Sequence, residues 1–147
     1  MTALLTLNNL SVSTGSKTLI HGLSFSLEKG ERLGLIGESG SGKSLTALAA
    51  TGLLPAGLSA SGSAILAGTE VIGTPERQLN TLRGTAVAIV FQEPLTALDP
   101  LMRVGKQVAE PLARRAKRDG KPLHGTALYQ AVLALLTEVA LPDPPRI

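Results

Sequence analysis

The sequence predicts an α/β fold that begins with an antiparallel β subdomain. Two observations carry this prediction. The first third of the chain contains short runs in which apolar and polar residues alternate, as they do in half-buried strands. A glycine-rich loop then stands between a short apolar run and a stretch rich in alanine and leucine, which is the order strand, loop, helix. The 147 residues, 44% of them apolar and 17% charged, suffice for one domain with a real core.

The first half of the chain predicts mainly strands. Three alternating runs predict early antiparallel strands: Leu5–Asn8, Leu10–Ser13 and Leu23–Glu28. Arg32–Ile36 is short and mostly apolar, so it predicts a strand that leads directly into the glycine-rich loop. Ser63–Val71 predicts another strand, broken by Gly68, and Ala86–Phe91 predicts a buried strand.

Helical patterns follow the glycine-rich loop and dominate the C-terminal third. The predicted helices are Leu45–Leu54, Pro75–Arg83, Val104–Arg118 and Thr126–Ala140. Pro111 should end or kink the third of them, because proline lacks the backbone N–H that a helix interior needs. The tail, residues 141–147, is rich in proline and predicts a linker.

Composition excludes several classes of protein. The absence of cysteine excludes a disulfide scaffold, cysteine-ligated zinc, iron–sulfur clusters and a cysteine nucleophile. His21 and His124 are too few for a histidine-rich metal centre. The three aromatic residues, Phe25, Phe91 and Tyr129, are too few for a base-stacking platform. The N-terminus lacks a signal-peptide pattern and no apolar run is long enough to span a bilayer, so we expect a cytoplasmic protein, soluble or peripheral.

The net charge of +3 is unevenly distributed. Between Arg103 and Lys121 lie seven basic and two acidic residues, so this segment carries +5 and the remainder −2. The pattern is typical of a solvated helix with cations near its C-terminus, where they suit the helix dipole. A contact surface for another subunit or for a membrane is the second interpretation. Nucleic acid is disfavoured, because no aromatic or base-reading residues are interleaved.

The motif that carries chemistry is Gly37-Glu-Ser-Gly-Ser-Gly-Lys-Ser44, which fits the Walker A pattern at every fixed position. Its glycines let backbone N–H groups turn inward around phosphate oxygens, and the following helix points its positive end at the same anion. Lys43 can neutralise the β- and γ-phosphates, and the Ser44 hydroxyl can ligate Mg²⁺. The residues predicted to contact the nucleotide are Gly37, Glu38, Ser39, Gly40, Ser41, Gly42, Lys43, Ser44 and Leu45.

With this motif in place, the sequence resembles the ABC-type ATPases, a branch of the P-loop NTPases. Gly30-Glu31 followed by Leu33-Gly-Leu-Ile-Gly-Glu-Ser-Gly-Ser-Gly-Lys-Ser is similar to the family's approach to Walker A. The loop itself is especially like that of the ATP-binding subunits of dipeptide, oligopeptide and nickel importers. Ile89–Pro100 resembles the Q-loop of that subfamily. Leu82-Arg-Gly84 and Val104-Gly-x-Gln107-x-x-Glu110 fit the same subfamily.

The segment Glu93–Asp99 also looks like a Walker B glutamate followed by a D-loop. We favour the Q-loop because Walker B needs an aspartate before the glutamate, and position 92 is glutamine. Gln92 also follows Lys43 by only 49 positions (92 − 43), which leaves no room for the helical subdomain and signature motif. The resemblance then implies that Gln92 acts with Lys43 in catalysis, contacting Mg²⁺ or the attacking water. It also implies that this loop relays the nucleotide state to a membrane subunit.

The sequence departs from the family in two respects. Thr14 stands where the family has an aromatic residue that stacks on adenine, which predicts adenine binding weaker by about tenfold to a hundredfold. The sequence also has no Leu-Ser-Gly-Gly-Gln signature, no strand ending in Asp-Glu and no switch histidine. We therefore expect residues 1–147 to be the N-terminal part of one nucleotide-binding domain, truncated before the signature motif and the Walker B strand. It would contain the β subdomain and P-loop core over about 1–100, the start of a helical subdomain over about 101–140, and the tail.

The resemblance implies an ATP-binding subunit that couples ATP binding and hydrolysis to the uptake of peptides or nickel, at the cytoplasmic face of the inner membrane. Its implied cofactors are ATP and Mg²⁺. Its implied partners are transmembrane permease subunits and a second nucleotide-binding subunit, with no nucleic acid. Hydrolysis by this chain alone is not expected. Two alternatives stay open: a non-catalytic nucleotide-binding or regulatory remnant, and a small P-loop phosphotransferase with Arg114, Arg115 and Arg118 in a lid.

Overall fold

The computed structural model describes residues 3–91 and 98–140 of the chain. The chain divides into two compact units, Met1–Ile89 and Val90–Ile147. The first contains β1 (Leu5–Thr14), β2 (Lys17–Leu27), α1 (Lys43–Ala50), β3 (Ser59–Leu66), β4 (Thr69–Glu70) and α2 (Glu76–Leu82). The second contains α3 (Val104–Arg118) and α4 (Gly125–Glu138).

The four strands form one antiparallel sheet in the order β2-β1-β3-β4. A two-residue turn at Gly15 and Ser16 joins β1 to β2, and Gly15 adopts a positive φ of 52° there. The predicted antiparallel β subdomain is confirmed, and the mixed α/β class with it. α1 packs against β3, which places the end of the glycine-rich loop beside the sheet.

A bulge in β1 explains why its apolar residues change phase. Leu7 is buried, but the next buried positions are Leu10 and Val12, so the alternation slips by one residue. Pairing shifts at the same place on both sides of β1, and Asn9 there has a φ of +50°. An extra residue in one strand produces such a slip. The bulge keeps both halves of β1 facing the same core.

The core of the first unit lies between one face of this sheet and the two short helices. Its buried members are Leu7, Leu10, Val12, Ile20, Ala49, Ala50, Ala64, Leu66, Val71 and Leu79. Strands β1, β2 and β3 supply six of the ten, and α1 and α2 supply three. α1 approaches closely because its buried core positions are the small residues Ala49 and Ala50.

Two predicted strands are absent from the described structure. Arg32–Ile36 has no regular structure, and its Ile36 side chain is 99% exposed. Ala86–Phe91 makes only an isolated bridge, between Val87 and Arg83, and Val90 is 96% exposed. Both predictions are wrong for the same reason. A buried strand of this kind needs neighbours that pair with it on its edges, and the described residues supply none for these two segments.

The second unit is a pair of helices. α3 and α4 pack together, and Val132 and Leu136 of α4 are buried. α3 runs through Pro111 to Arg118, so the proline does not end the helix as the sequence allowed. A proline in this position removes one backbone hydrogen bond, and the rest of the helix ladder bridges it.

Candidate functional site

The glycine-rich loop folds around its own lysine. The Lys43 Nζ donates hydrogen bonds to the carbonyl oxygens of Gly37 (2.8 Å) and Glu38 (2.7 Å) and lies 3.3 Å from the Ser41 Oγ. The Ser41 amide closes the turn on the Glu38 carbonyl at 3.3 Å. An ammonium has three donors, and all three have an oxygen partner within this loop. The cation therefore lies inside the loop, where an anion would be bound.

Glycine is required where the loop becomes a helix. Gly42 caps α1 with a φ of 90°, a conformation that residues with a Cβ rarely adopt. A Cβ at this position would lie 3.3 Å from the Ile20 Cγ1 of β2, so the helix start is seated directly on the sheet. The Gly42 carbonyl accepts both the amide (2.8 Å) and the hydroxyl (3.0 Å) of Thr46, which is buried. These contacts fix the direction of α1.

The start of α1 is open to an anion. It has no side-chain cap and no acidic residue in its first turn. The amides of a helix's first turn have no intrahelical acceptor, and the helix dipole makes that end positive. Here they belong to Lys43, Ser44 and Leu45, with the Ser44 side chain exposed and Leu45 packed against the core. Amides, an ammonium and a hydroxyl at one place form a donor set that fits phosphate groups.

The remaining predicted residues are placed as follows. Ser39 and Gly40 form an exposed turn, with Gly40 at a φ of 81°. Thr14 is the exposed last residue of β1, beside the hairpin turn. Gln92 lies outside the described residues. No group of three or more His, Cys, Asp or Glu that could hold a metal occurs among residues 3–91 and 98–140.

Sequence reasoning missed the residue that supports the site. Ile20 is buried in β2 and forms the floor under Gly42, a contact that no motif contains. A signal was present, because Leu19 and Ile20 form an apolar pair in a run that otherwise carries Lys17, Thr18 and His21. The sequence also showed no sign of the role of Arg83, the middle residue of Leu82-Arg-Gly84. Its side chain joins α2 to the end of α1.

The glycine-rich loop, the lysine within it and the uncapped helix that follows define a P-loop protein. The family model described as ABC transporter matches residues 20–144, which is most of the chain. The chain belongs to the ABC transporter family. No helix in the described ranges is both long and apolar enough to cross a membrane.

Individual relatives agree with this assignment. The chain is 40% identical over 144 residues to the oligopeptide transport ATP-binding protein OppD of Salmonella typhimurium, covering 95% of this chain and 42% of the relative. It is 38% identical over 136 residues to the dipeptide transport ATP-binding protein DppD of Lactococcus lactis, covering 92% and 38%. It is 35% identical over 150 residues to DppD of Bacillus subtilis, covering 98% and 43%. The chain thus spans about two fifths of the length of these relatives.

Proposed function

We propose that this chain is the nucleotide-binding portion of the ATP-binding subunit of an ABC importer for peptides. The observation that carries the proposal is the Lys43 ammonium, held by the Gly37 and Glu38 carbonyls at the open start of α1. The names of the relatives, oligopeptide and dipeptide transport ATP-binding proteins, supply the ligand and the cargo. Nickel as the cargo rests on the resemblance of the loop alone.

The loop would bind ATP through its phosphates. The β- and γ-phosphate oxygens would accept from the first-turn amides of α1 and from Lys43. The three Lys43 donors already have partners in the loop, so the side chain must release at least one of them to a phosphate oxygen. The Ser44 hydroxyl, with Gln92, would hold Mg²⁺. When bound, that ion neutralises phosphate charge.

The base would be held less firmly than the phosphates. Thr14 is a small exposed side chain at the end of β1, and it offers no ring for adenine to stack on. We therefore expect affinity to depend mainly on the phosphate groups, with little preference between adenine and guanine.

In the whole protein, nucleotide binding would drive dimerisation with a second nucleotide-binding subunit and movement of transmembrane permease subunits, at the cytoplasmic face of the cell membrane. The Gln92 loop would carry the signal between them. The 147 residues contain no Asp-Glu pair and no signature motif. We therefore propose that this chain binds Mg-nucleotide without turning it over.

Binding of a fluorescent ATP analogue to the chain, followed by anisotropy with Mg²⁺ present, tests the proposal. Lys43→Ala should weaken binding about tenfold to a hundredfold, because a charge-assisted phosphate contact is lost. Lys29→Ala, which removes an exposed cation outside the motif, is the matched control and should bind as the parent chain does. An affinity of the Lys43→Ala variant equal to that of the parent chain would contradict the proposal. Rapid release of phosphate from ATP by the parent chain, abolished by Lys43→Ala, would contradict it too.

A further inference from the structure

One side of α3 carries cations, with a single acidic residue, Glu110, among them. Lys106, Glu110, Arg114 and Lys117 follow one another at intervals of three or four residues, which places them on one side of the helix. Arg103 is the residue before the helix, and Lys121 follows its end, after Gly120 with its φ of 72°. We call these five cations the basic stripe. All of them are exposed.

The charge of the stripe is largely uncompensated. Glu110 is the one acidic residue in the row, and it pairs with Arg114 at 2.5 Å. The other acid nearby, Asp119, lies beside Arg115 and Arg118, which are outside the stripe. Four cations of the stripe therefore have no ion pair with the described part of the chain. These exposed charges are available to an anionic partner.

A rigid turn holds an apolar side chain at one end of the stripe. Leu101 is 97% exposed and its neighbour Met102 is 41% exposed. The Gln107 amide fixes this turn, because its Nε2 donates to the carbonyls of Asp99 (2.9 Å) and Met102 (2.7 Å). Its Oε1 accepts the Asp99 amide at 2.9 Å, and the Asp99 carboxylate accepts the Leu101 amide at 2.8 Å. These hydrogen bonds hold the backbone on both sides of Leu101, whose side chain is exposed.

We propose that the basic stripe and Leu101 form a docking surface for an anionic phospholipid bilayer. A 15-residue helix is about 22 Å long, so α3 and the residues at its two ends spread the five cations of the stripe along one extended element. Cations next to an exposed leucine match the two contributions to interfacial binding, attraction to anionic headgroups and burial of an apolar side chain. Nucleic acid fits less well, since the stripe contains no aromatic side chain to stack on a base.

This surface lies in the second unit, and its binding to lipid does not depend on the glycine-rich loop. It would hold the subunit at the membrane before any permease is engaged. The proposal therefore survives if nucleotide binding fails, and it can fail while nucleotide binding is found.

Sedimentation of the chain with vesicles tests the proposal. Vesicles of 70% phosphatidylcholine and 30% phosphatidylglycerol should bind it, and vesicles of pure phosphatidylcholine should not. The variant Lys106→Gln/Lys117→Gln/Lys121→Gln should lower the partition coefficient about tenfold to a hundredfold, since each cation near such a surface contributes about fivefold. Raising the salt concentration from 0.05 M to about 0.5 M should have a similar effect.

Two further variants separate the stripe from general basicity. Lys17→Gln/Lys29→Gln/Arg77→Gln removes three exposed cations elsewhere and should leave more than half of the binding affinity. Leu101→Ser should lower binding about threefold to tenfold at any salt concentration, because the apolar contribution is not screened. Equal binding to neutral vesicles, or equal loss in the two triple variants, would overturn the proposal. Binding only to membranes that contain a permease would overturn it too, and would assign the surface to a protein partner.

Discussion

The guanidinium of Arg83 donates a 2.7 Å hydrogen bond to the carbonyl oxygen of Gly52, which lies 31 residues earlier in the chain. Gly52 follows α1 and Arg83 ends α2, so one side chain joins the ends of both helices. The same guanidinium bonds Asn80 at 3.1 Å and forms an ion pair with Glu76. Arg83 thereby fixes the distal end of the helix that begins at the glycine-rich loop.

Replacement of Arg83 by methionine should lower the free energy of unfolding by about 1–3 kcal/mol. The substitution keeps much of the side-chain volume but leaves the Gly52 carbonyl without its charged donor. Urea unfolding followed by circular dichroism measures the change. Arg77→Met, on the exposed side of the same helix, is the control and should shift the free energy by less than about 0.5 kcal/mol. Equal losses in the two variants would show that the Gly52 bond contributes nothing.

Glu70 is held ionised at the edge of the sheet. Burial opposes ionisation, but the hydrogen bonds that its carboxylate accepts from the Ser63 hydroxyl (2.5 Å) and the amides of Ala64 (2.9 Å) and Ile72 (3.0 Å) outweigh it. The pKa of Glu70 therefore lies below its ordinary value. A group of this kind stabilises the fold at pH values above the unfolded-state pKa. That contribution is lost as the pH falls through the folded-state pKa.

Glu70→Gln should cost about 1–2 kcal/mol at pH 7, because the neutral amide presents N–H donors to groups that are themselves donors. The difference in unfolding free energy between the variant and the parent chain should shrink as the pH is lowered from about 6 to about 3, a range that brackets an ordinary carboxyl pKa. Urea midpoints across this range provide the measurement. Glu138→Gln, at an exposed site on α4, should give a difference that stays near zero. A constant difference at every pH would contradict the assigned role of the carboxylate.

Gly62 and Gly68 form a matched pair for testing the bulge. Both adopt positive φ values, 88° and 80°, so alanine carries a similar backbone penalty at each. A Cβ at Gly62 would lie 2.3 Å from the carbonyl oxygen of Asn9, whereas none of the described atoms lies within 4 Å at Gly68. Gly62→Ala should therefore lower the free energy of unfolding by more than about 3 kcal/mol, and Gly68→Ala by about 1 kcal/mol. Similar losses of unfolding free energy in the two variants would mean that β1 and β3 can move apart to admit the new Cβ without a loss of stability.

Gln107→Ala should loosen the turn that presents Leu101. Three hydrogen bonds from one amide hold this turn, and the alanine variant removes all of them. Hydrogen exchange of the Asp99 amide should accelerate at least about tenfold, which corresponds to one lost hydrogen bond. Gln130→Ala, exposed on α4, should leave this exchange unchanged. Unchanged protection in the Gln107→Ala variant would mean that the Asp99 carboxylate alone orders the turn.

The elements that the sequence predicted well are those whose signal is local. Alternating residues located β1 and the second half of β2, which begins at Lys17 and not at the predicted Leu23, and the alanine-rich run after Lys43 located α1. The Walker A motif located the loop because its glycines and lysine act on one another over a few residues. The bulge also has a local signal, because the alternation of apolar and polar residues slips by one position between Leu7 and Leu10.

What could not be predicted depends on partners distant in the sequence. The apolar composition of Arg32–Ile36 is suited to a strand, but a strand also needs neighbours to pair with, and composition does not report whether they are present. The same holds for Val90, apolar and yet 96% exposed. The hydrogen bond from Arg83 to Gly52 and the contact between Gly42 and Ile20 join segments far apart in the chain, so no local pattern predicts either of them.

The self-contained arrangement at Lys43 has a consequence for selectivity. A ligand that reaches the loop meets an ammonium with three oxygen partners already in place, at Gly37, Glu38 and Ser41. A ligand oxygen that bonds to this ammonium replaces one of those partners, so the number of hydrogen bonds made by Lys43 does not rise on binding. The net gain then comes from exchanging a neutral oxygen for a charged one, which favours anionic ligands over neutral ones.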